Sequence, residues 1–440
     1  MNPSFLRQAT GAIVAVACLA TIALHWPGEL SPDSVLQLLE GRLGQYNSWH
    51  PPVMAWMLGL GDAISPGAGL FIAFDAILAF GALASLLWLR PAGGGLVPLC
   101  IAAVLCLLPQ FLLYQGIVWK DVLFADAMLA GFVCLAHATT GRHRLVLLAS
   151  SLLLLSLAAL ARQNGAILLP FAAAAVIAGE WNTGRRRAIA WGVVWLALAG
   201  MITLAAGFVL DLRSSRDSGP GEQVELLQTY DLAGAAYRGV PLEYLRRKAP
   251  RLAHELETTG ARLYTPQRND PVAASDAITT AVERTKSAII ADQWRALILS
   301  HPALYLSLRA DAFRWVFLTP DIVACRPLFA GIEGPADALK QLGLAARRDA
   351  KDRAFVAYGA AFMGTPVFSH LFWALAALAA FVFLIWRRRP ADIVFACLIA
   401  GLLSFTASFF FISLACDYRY LYTLDLCTMA VLFYLATSRE

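Results

Sequence analysis

Charge is scarce in this chain. Asp, Glu, Lys and Arg together make up 15% of its 440 residues, where a soluble chain carries roughly 25%. Apolar residues make up 59% and the mean hydropathy is +0.63, which excludes an ordinary soluble enzyme and points to a membrane protein. Lysine is the scarcest charge, at 5 residues against 30 Arg. Guanidinium forks suit phosphate and carboxylate, although a GC-rich genome gives the same bias. The 8 cysteines show no CxxC and no metal-type spacing. Cys18, Cys100, Cys106, Cys134, Cys397 and Cys427 fall inside apolar runs and read as core filler. Only Cys325 and Cys416 are expected to face an external compartment, and nothing in the sequence brings the two together. No fixed-period repeat, heptad series or low-complexity tract is present, which counts against a solenoid or a scaffold. The net charge of +5 does not argue for nucleic acid, because much of the basic charge lies in short clusters between apolar runs.

What charge there is concentrates in one place. Residues 211–366 hold 20 of the 35 Lys+Arg and 18 of the 30 Asp+Glu, so a water-exposed domain interrupts a membrane-embedded one. A spanning helix needs about 20 mostly apolar residues. Ten segments qualify, several of them short: 10–26, 68–89, 96–115, 120–139, 145–161, 165–179, 187–210, 368–386, 391–415 and 418–437. Arg7 before the first segment resembles a signal peptide, but the cleavage pattern ahead of His25-Trp26-Pro27 is poor, and an uncleaved span is expected. With the N-terminus cytoplasmic, 11 of the 15 cations outside 211–366 lie inside: Arg7, Arg90, Arg142, Arg144, Arg185, Arg186, Arg187, Arg387, Arg388, Arg389 and Arg439. That agreement across the loops obeys the positive-inside rule. The remaining four, Arg42, Lys120, Arg162 and Arg419, fall on or near the outer side.

The expected architecture is therefore an all-α polytopic membrane protein with about ten spans. Residues 1–210 form a seven-span module with a first outer loop at 27–67, residues 211–366 a mostly helical external domain, and residues 367–440 a three-span module. Within the external domain, Ser214 to Glu222 is polar and turn-rich. Residues 288–318 read as one long amphipathic helix interrupted at Pro302, lying on the membrane surface or packed within the domain.

Polar groups recur in the outer turns. Ser31 and Asp33 stand where a short helix begins after the first span, and Asp33 is either a cap worth about 1 kcal/mol or a base for a substrate arriving in the lipid. Trp49-His50-Pro51-Pro52 leads an apolar run, 53–64, too short to span and suited to an interfacial helix. Trp49 and Trp56 fit an interfacial belt, and His50 is open to metal binding, proton transfer or a backbone bond. Trp119-Lys120-Asp121 sets a cation beside a carboxylate at the start of a span, either as a local ion pair or as part of a site. Arg162-Gln163-Asn164 and Cys416-Asp417-Tyr418-Arg419-Tyr420 are two further knots. Asp75, Asp126 and Asp425 lie within spans, where a carboxylate is costly and is a functional candidate until its partner is known. Taken singly, each outer turn reads as snorkelling or capping. Taken jointly, they suit an anion site at the outer surface, and phosphate is the anion a lipid brings.

The layout resembles the GT-C superfamily of membrane glycosyltransferases, which includes protein O-mannosyltransferases and the aminoarabinose transferases of lipid A. The resemblance rests on Asp33 just after the first span, paired interfacial helices before the second, a seven-span N-terminal module and a large outer domain after the seventh. Ser-Pro-Asp33-Ser34 departs from the Asp-Glu pair common in protein mannosyltransferases and leaves the acceptor class open. The resemblance implies inverting transfer from a polyprenyl-phosphate sugar to an acceptor hydroxyl at the periplasmic face of a bacterial inner membrane, with both termini cytoplasmic. Asp33 would be the general base. Lys120, Arg162 and Arg419 would hold the departing phosphate, and His50, Asp121, Asn164, Asp417 and Tyr420 would serve the acceptor or support the site. No obligatory cofactor is implied, although a divalent cation shared by Asp33, His50 and Asp121 is compatible with the family. The acceptor is a lipid-linked glycan, a lipid or a protein. Two other readings stay open. One is a transporter or lipid flippase working through Asp75, Asp126 and Asp425; the other is an O-antigen-ligase type of enzyme using polyprenyl-diphosphate donors.

Overall fold

The computed structural model describes residues 2–47, 49–89, 95–181, 184–214 and 220–437. Arg90, Arg439 and most of the polar stretch that follows Ser214 lie outside them. The described chain is helical, and its only β-type pairings are isolated bridges. It is a multi-pass membrane protein.

Eight of the described helices are long and apolar enough to cross a bilayer, against ten expected spans. The expected third span is a broken one: a helix over Leu96–Leu107 is followed by Pro109–Gly116 at an angle of 62°. Leu108 is extended because it precedes Pro109, and a proline has no amide to continue the ladder. The expected sixth span is the shorter apolar helical stretch Gly165–Glu180.

The chain divides into two compact units. Unit 1 comprises Met1–Ser215, Leu328–Phe405 and Arg419–Glu440, and unit 2 comprises Arg216–Pro327 and Thr406–Tyr418. The stretch 328–366, read from its charge as part of the external domain, thus clusters with the spans of unit 1.

In unit 1 the loop at 27–67, expected on the outer side, forms two short helices, α1 (Pro32–Leu43) and α2 (Pro52–Ile64). Each starts with a proline in its first turn, where the missing amide costs nothing. The first ends at Gly44 in the left-handed conformation (φ +64°). The two meet backbone to backbone: a Cβ on Gly41 would strike Ala55 O and Gly59 N. Arg42, one of the four cations expected on the outer side, clamps the pair through a bidentate bond to Asp62, Nε and Nη2 each at 2.7 Å. Two spans, α3 (Lys120–Ala138) and α4 (Tyr422–Thr437), are almost wholly enclosed by other helices. They carry Asp126 and Asp425, so these carboxylates face protein rather than lipid.

Unit 2 is a helical body around Tyr230, Leu245, Leu256, Ile290, Leu297 and Leu308. The expected helix 288–318 is two helices, Ser287–Ser300 and Pro302–Leu318, broken at His301 ahead of the proline. Their apolar residues Ile290, Leu297 and Leu308 enter the core of the unit, so packing within the domain is what their amphipathic pattern encodes. Asp231 and Arg309 form an ion pair at 2.6 Å with both side chains fully buried, and Arg309 also donates to Phe411 O and Ser413 O at 3.2 and 3.1 Å. Cys325 and Cys416 form a disulfide, with Cα atoms 4.8 Å apart.

Candidate active site

A buried carboxylate fixes the start of the first outer loop. The backbone of Glu29 pairs with the turn before α3, its amide donating to Gly116 O at 2.9 Å and its carbonyl accepting from Val118 N at 3.0 Å. Its side chain, with no exposure, accepts from Gly331 N at 2.7 Å and from Arg347 Nη2 at 2.6 Å. Leu30 continues the pairing with Gly331 and Glu333. These bonds set the N-terminus of α1 beside that of α3. Ser31 caps through its backbone rather than its hydroxyl. That hydroxyl accepts from Trp119 Nε1 at 3.1 Å and meets Ser34 Oγ at 2.8 Å, while Ser34 donates to Val118 O.

Asp33 stands on the first turn of α1, 42% exposed at its side chain. Arg419 Nη2 donates to its Oδ2 at 3.0 Å. The same guanidinium reaches toward Asp121 Oδ2 at 3.7 Å and lies 5.1 Å over the Trp119 ring. Asp121 is fully buried and takes a direct ion pair from Arg162 to its other oxygen. Arg162 in turn lies over Tyr420 at 5.4 Å and over Phe405 at 5.6 Å. The first outer loop, the start of α3, the turn after the span Arg144–Ala161 and the approach to α4 therefore converge on one charge network. Alternating crossings put these four turns at the same end of the spans.

Lys120 donates to His50 Nδ1 at 3.1 Å, and His50 Nε2 lies 3.9 Å from Asp33 Oδ1. Burial, with Lys120 beside it, pulls the His50 pKa down to about 3, so at neutral pH the imidazole is uncharged. Nδ1 is then the acceptor and Nε2 carries the proton that faces Asp33. Burial pushes Asp33 the other way, but Arg419, His50 and Lys120 outweigh it and hold its carboxyl below the ordinary aspartate value. Three cations and two carboxylates leave one positive charge in excess, in a setting partly closed to water. That arrangement attracts an anion and keeps one carboxylate, Asp33, accessible to a second ligand.

Two further expected members are Asp417 and Asn164. Asp417 belongs to unit 2, where Arg268 Nη2 approaches it at 3.5 Å. Asn164 precedes the short turn Gly165–Leu168, two residues after Arg162, with half-buried placement. The donor set does not fit a divalent ion shared by Asp33, His50 and Asp121. The His50 lone pair is taken by Lys120, and Arg419 occupies the space between the carboxylates. Among the described residues, no group of three or more His, Cys, Asp or Glu side chains is arranged to hold a metal.

The intramembrane carboxylates sit elsewhere in unit 1. Asp126 accepts from Gln115 Nε2 at 3.0 Å, and the same amide donates to Tyr422 OH at 3.0 Å. Asp425 pairs with His370 at 2.9 Å, both fully buried. Asp75 is buried, and neither of its oxygens accepts a hydrogen bond among the described residues. Glu29 and Arg347 were not legible as site supports. Their partners lie about 300 positions apart in the chain, and the only local signal is a carboxylate beside the helix-ending Trp26-Pro27.

No family model and no curated protein sequence matches the chain. Among solved structures it is similar to the oligosaccharyltransferase AglB of Archaeoglobus fulgidus in complex with an inhibitory peptide and a dolichol-phosphate. That match has 13% identity and a TM-score of 0.40, and covers 96% of this chain and 50% of that one. It is also similar to the same organism's oligosaccharyltransferase in complex with Zn and sulfate, at 14% identity and a TM-score of 0.41, covering 96% and 48%. A third is the arabinosyltransferase EmbB of Mycobacterium smegmatis, at 17% identity and a TM-score of 0.35, covering 92% and 40%. The chain spans half or less of the length of these structures.

Proposed function

We propose that this chain is an inverting GT-C glycosyltransferase that moves a sugar from a polyprenyl-phosphate donor to an acceptor hydroxyl at the periplasmic face of a bacterial inner membrane. The observation that carries the reading is Arg419, shared between the accessible carboxylate of Asp33 and the buried one of Asp121. The donor phosphate would enter the cationic side of the network and take Arg419 from Asp33, with Lys120 and Arg162 adding charge. Asp33, losing its cation, becomes a stronger base at the moment the donor is in place. The acceptor oxygen attacks the anomeric carbon from the face opposite the phosphate, and its proton passes to Asp33. The bond from that carbon to the phosphate oxygen breaks, and its electron pair leaves with the lipid phosphate. The Nε2–H of neutral His50 is placed to orient the acceptor or the Asp33 carboxylate, and Tyr420 holds Arg162 in position. No step calls for a metal ion.

Product stereochemistry tests this reading. A donor of known anomeric configuration should yield an inverted linkage by NMR, whereas retention sinks the single-displacement step. Polyprenyl-monophosphate and polyprenyl-diphosphate sugars offered side by side separate the reading from a ligase-type enzyme. One observation favours a transporter, namely Asp75 buried without a hydrogen-bonded partner among the described residues. Proton uptake into proteoliposomes that disappears in Asp75→Asn would support that alternative.

A further inference from the structure

Unit 2 holds a cavity that the transfer step leaves unused. Its volume of about 380 Å³ lies within the range of about 300–1,000 Å³ in which small-ligand sites fall. Tyr237, Tyr264 and Trp315 contribute its aromatic lining, and Arg238, Asp311 and Arg314 its charged groups. Tyr264 packs against Tyr237 with ring centroids 5.5 Å apart, and against Tyr230 at 5.1 Å. Behind them the Arg309 guanidinium lies 5.6 Å over Tyr230 and is locked by its buried ion pair with Asp231. The aromatic lining is thus backed by a framework that does not have to order on binding, which lowers the entropic cost of capturing a ligand.

Arg238 Nη2 donates to Asp311 Oδ2 at 2.7 Å, so a donor and an acceptor stand at fixed spacing beside flat apolar faces. A pyranose ring matches such a surface, its C–H face lying on an aromatic ring and its hydroxyls exchanging hydrogen bonds with guanidinium and carboxylate. Arg314 is exposed, and no ion pair to it is seen among the described residues. With Arg238 balanced by Asp311, the cavity keeps one positive charge for a carboxylate on the ligand.

We propose that this cavity binds an oligosaccharide chain whose sugars carry carboxylates. The inference concerns unit 2 alone and does not depend on the transfer reading, because binding is measured with no donor present. The test is isothermal titration of the full-length protein in nanodiscs with tetragalacturonate and, separately, with maltotetraose. Tetragalacturonate should bind about tenfold more tightly than maltotetraose, the difference one charged contact supplies. Trp315→Ala should weaken both by about tenfold or more, with Trp315→Phe restoring most of the loss. The exposed change Arg314→Ala should remove only the preference for the acidic chain. Absence of binding by either tetrasaccharide, equal or tighter binding of maltotetraose, or affinities unchanged in Trp315→Ala and Arg314→Ala would each overturn the proposal.

Discussion

Arg419 donates to Asp33 Oδ2 at 3.0 Å across 386 positions of the chain, and its Nε lies 3.7 Å from Asp121 Oδ2. One guanidinium thereby joins the first outer loop to the approach of the last span. Because it is shared, an incoming phosphate can draw it away from Asp33 without leaving Asp121 unpaired, since Arg162 already holds that carboxylate.

This sharing predicts two different acid limbs. Asp33 lies below the ordinary carboxylate range in the free protein, so it stays deprotonated as pH falls through that range. The kcat/KM profile, which reports the free enzyme, should therefore be flat down to about pH 5. The kcat profile reports the donor complex and should bend at higher pH, since burial then acts on Asp33 with its cation engaged elsewhere. Arg419→Gln should raise the kcat/KM limb as well. Superimposable limbs in the native protein would rule out the competition for Arg419.

His50 should not titrate between about pH 5 and 8. Its pKa of about 3 follows from burial and the neighbouring Lys120, so the neutral form persists as pH falls through the usual histidine range. Lys120→Met should move the transition upward toward about 6.5, although burial keeps it short of that value. Imidazole ¹⁵N shifts across a pH series check both statements, and a native transition near pH 6.5 would contradict them.

The buried Asp231–Arg309 pair predicts a stability effect confined to unit 2. Removing either partner leaves an uncompensated buried charge, so Asp231→Asn or Arg309→Met should cost about 3–5 kcal/mol. Replacing both by apolar residues should recover much of it, as seen in denaturation midpoints.

Cys325 and Cys416 should resist alkylation until a reductant is added, whereas cysteines placed in apolar runs should not change with reductant. A disulfide that persists in cells would support an oxidising compartment for unit 2. Mass shifts after alkylation with and without reductant give the answer directly.

Much of the architecture was legible because the bilayer imposes length and polarity together. The apolar segments, the two proline-led helices of the first outer loop and the excess charge of 211–366 all follow from local composition. Asp33, His50, Lys120, Asp121, Arg162, Arg419 and Tyr420 stood out for a similar reason: polar groups in the turns between spans are few, and alternate crossings collect them at one end. Pairings between distant segments were not legible. Nothing local to Glu29 points to Arg347, and nothing in Asp417 shows that it falls with Arg268 while Arg419, two residues on, falls with Asp33. The break at Leu108 and the split at His301 each had a proline to announce them, but proline alone does not say whether a helix bends or ends.

The most direct test of the transfer reading is sugar release from radiolabelled polyprenyl-phosphate donors by the reconstituted protein, run beside Asp33→Asn and Arg419→Gln. Turnover of one donor that falls by about 10³-fold or more in Asp33→Asn, with Arg419→Gln weakening turnover as well, is the expected result. A panel in which no donor is consumed, or in which Asp33→Asn turns over at the native rate, would contradict it.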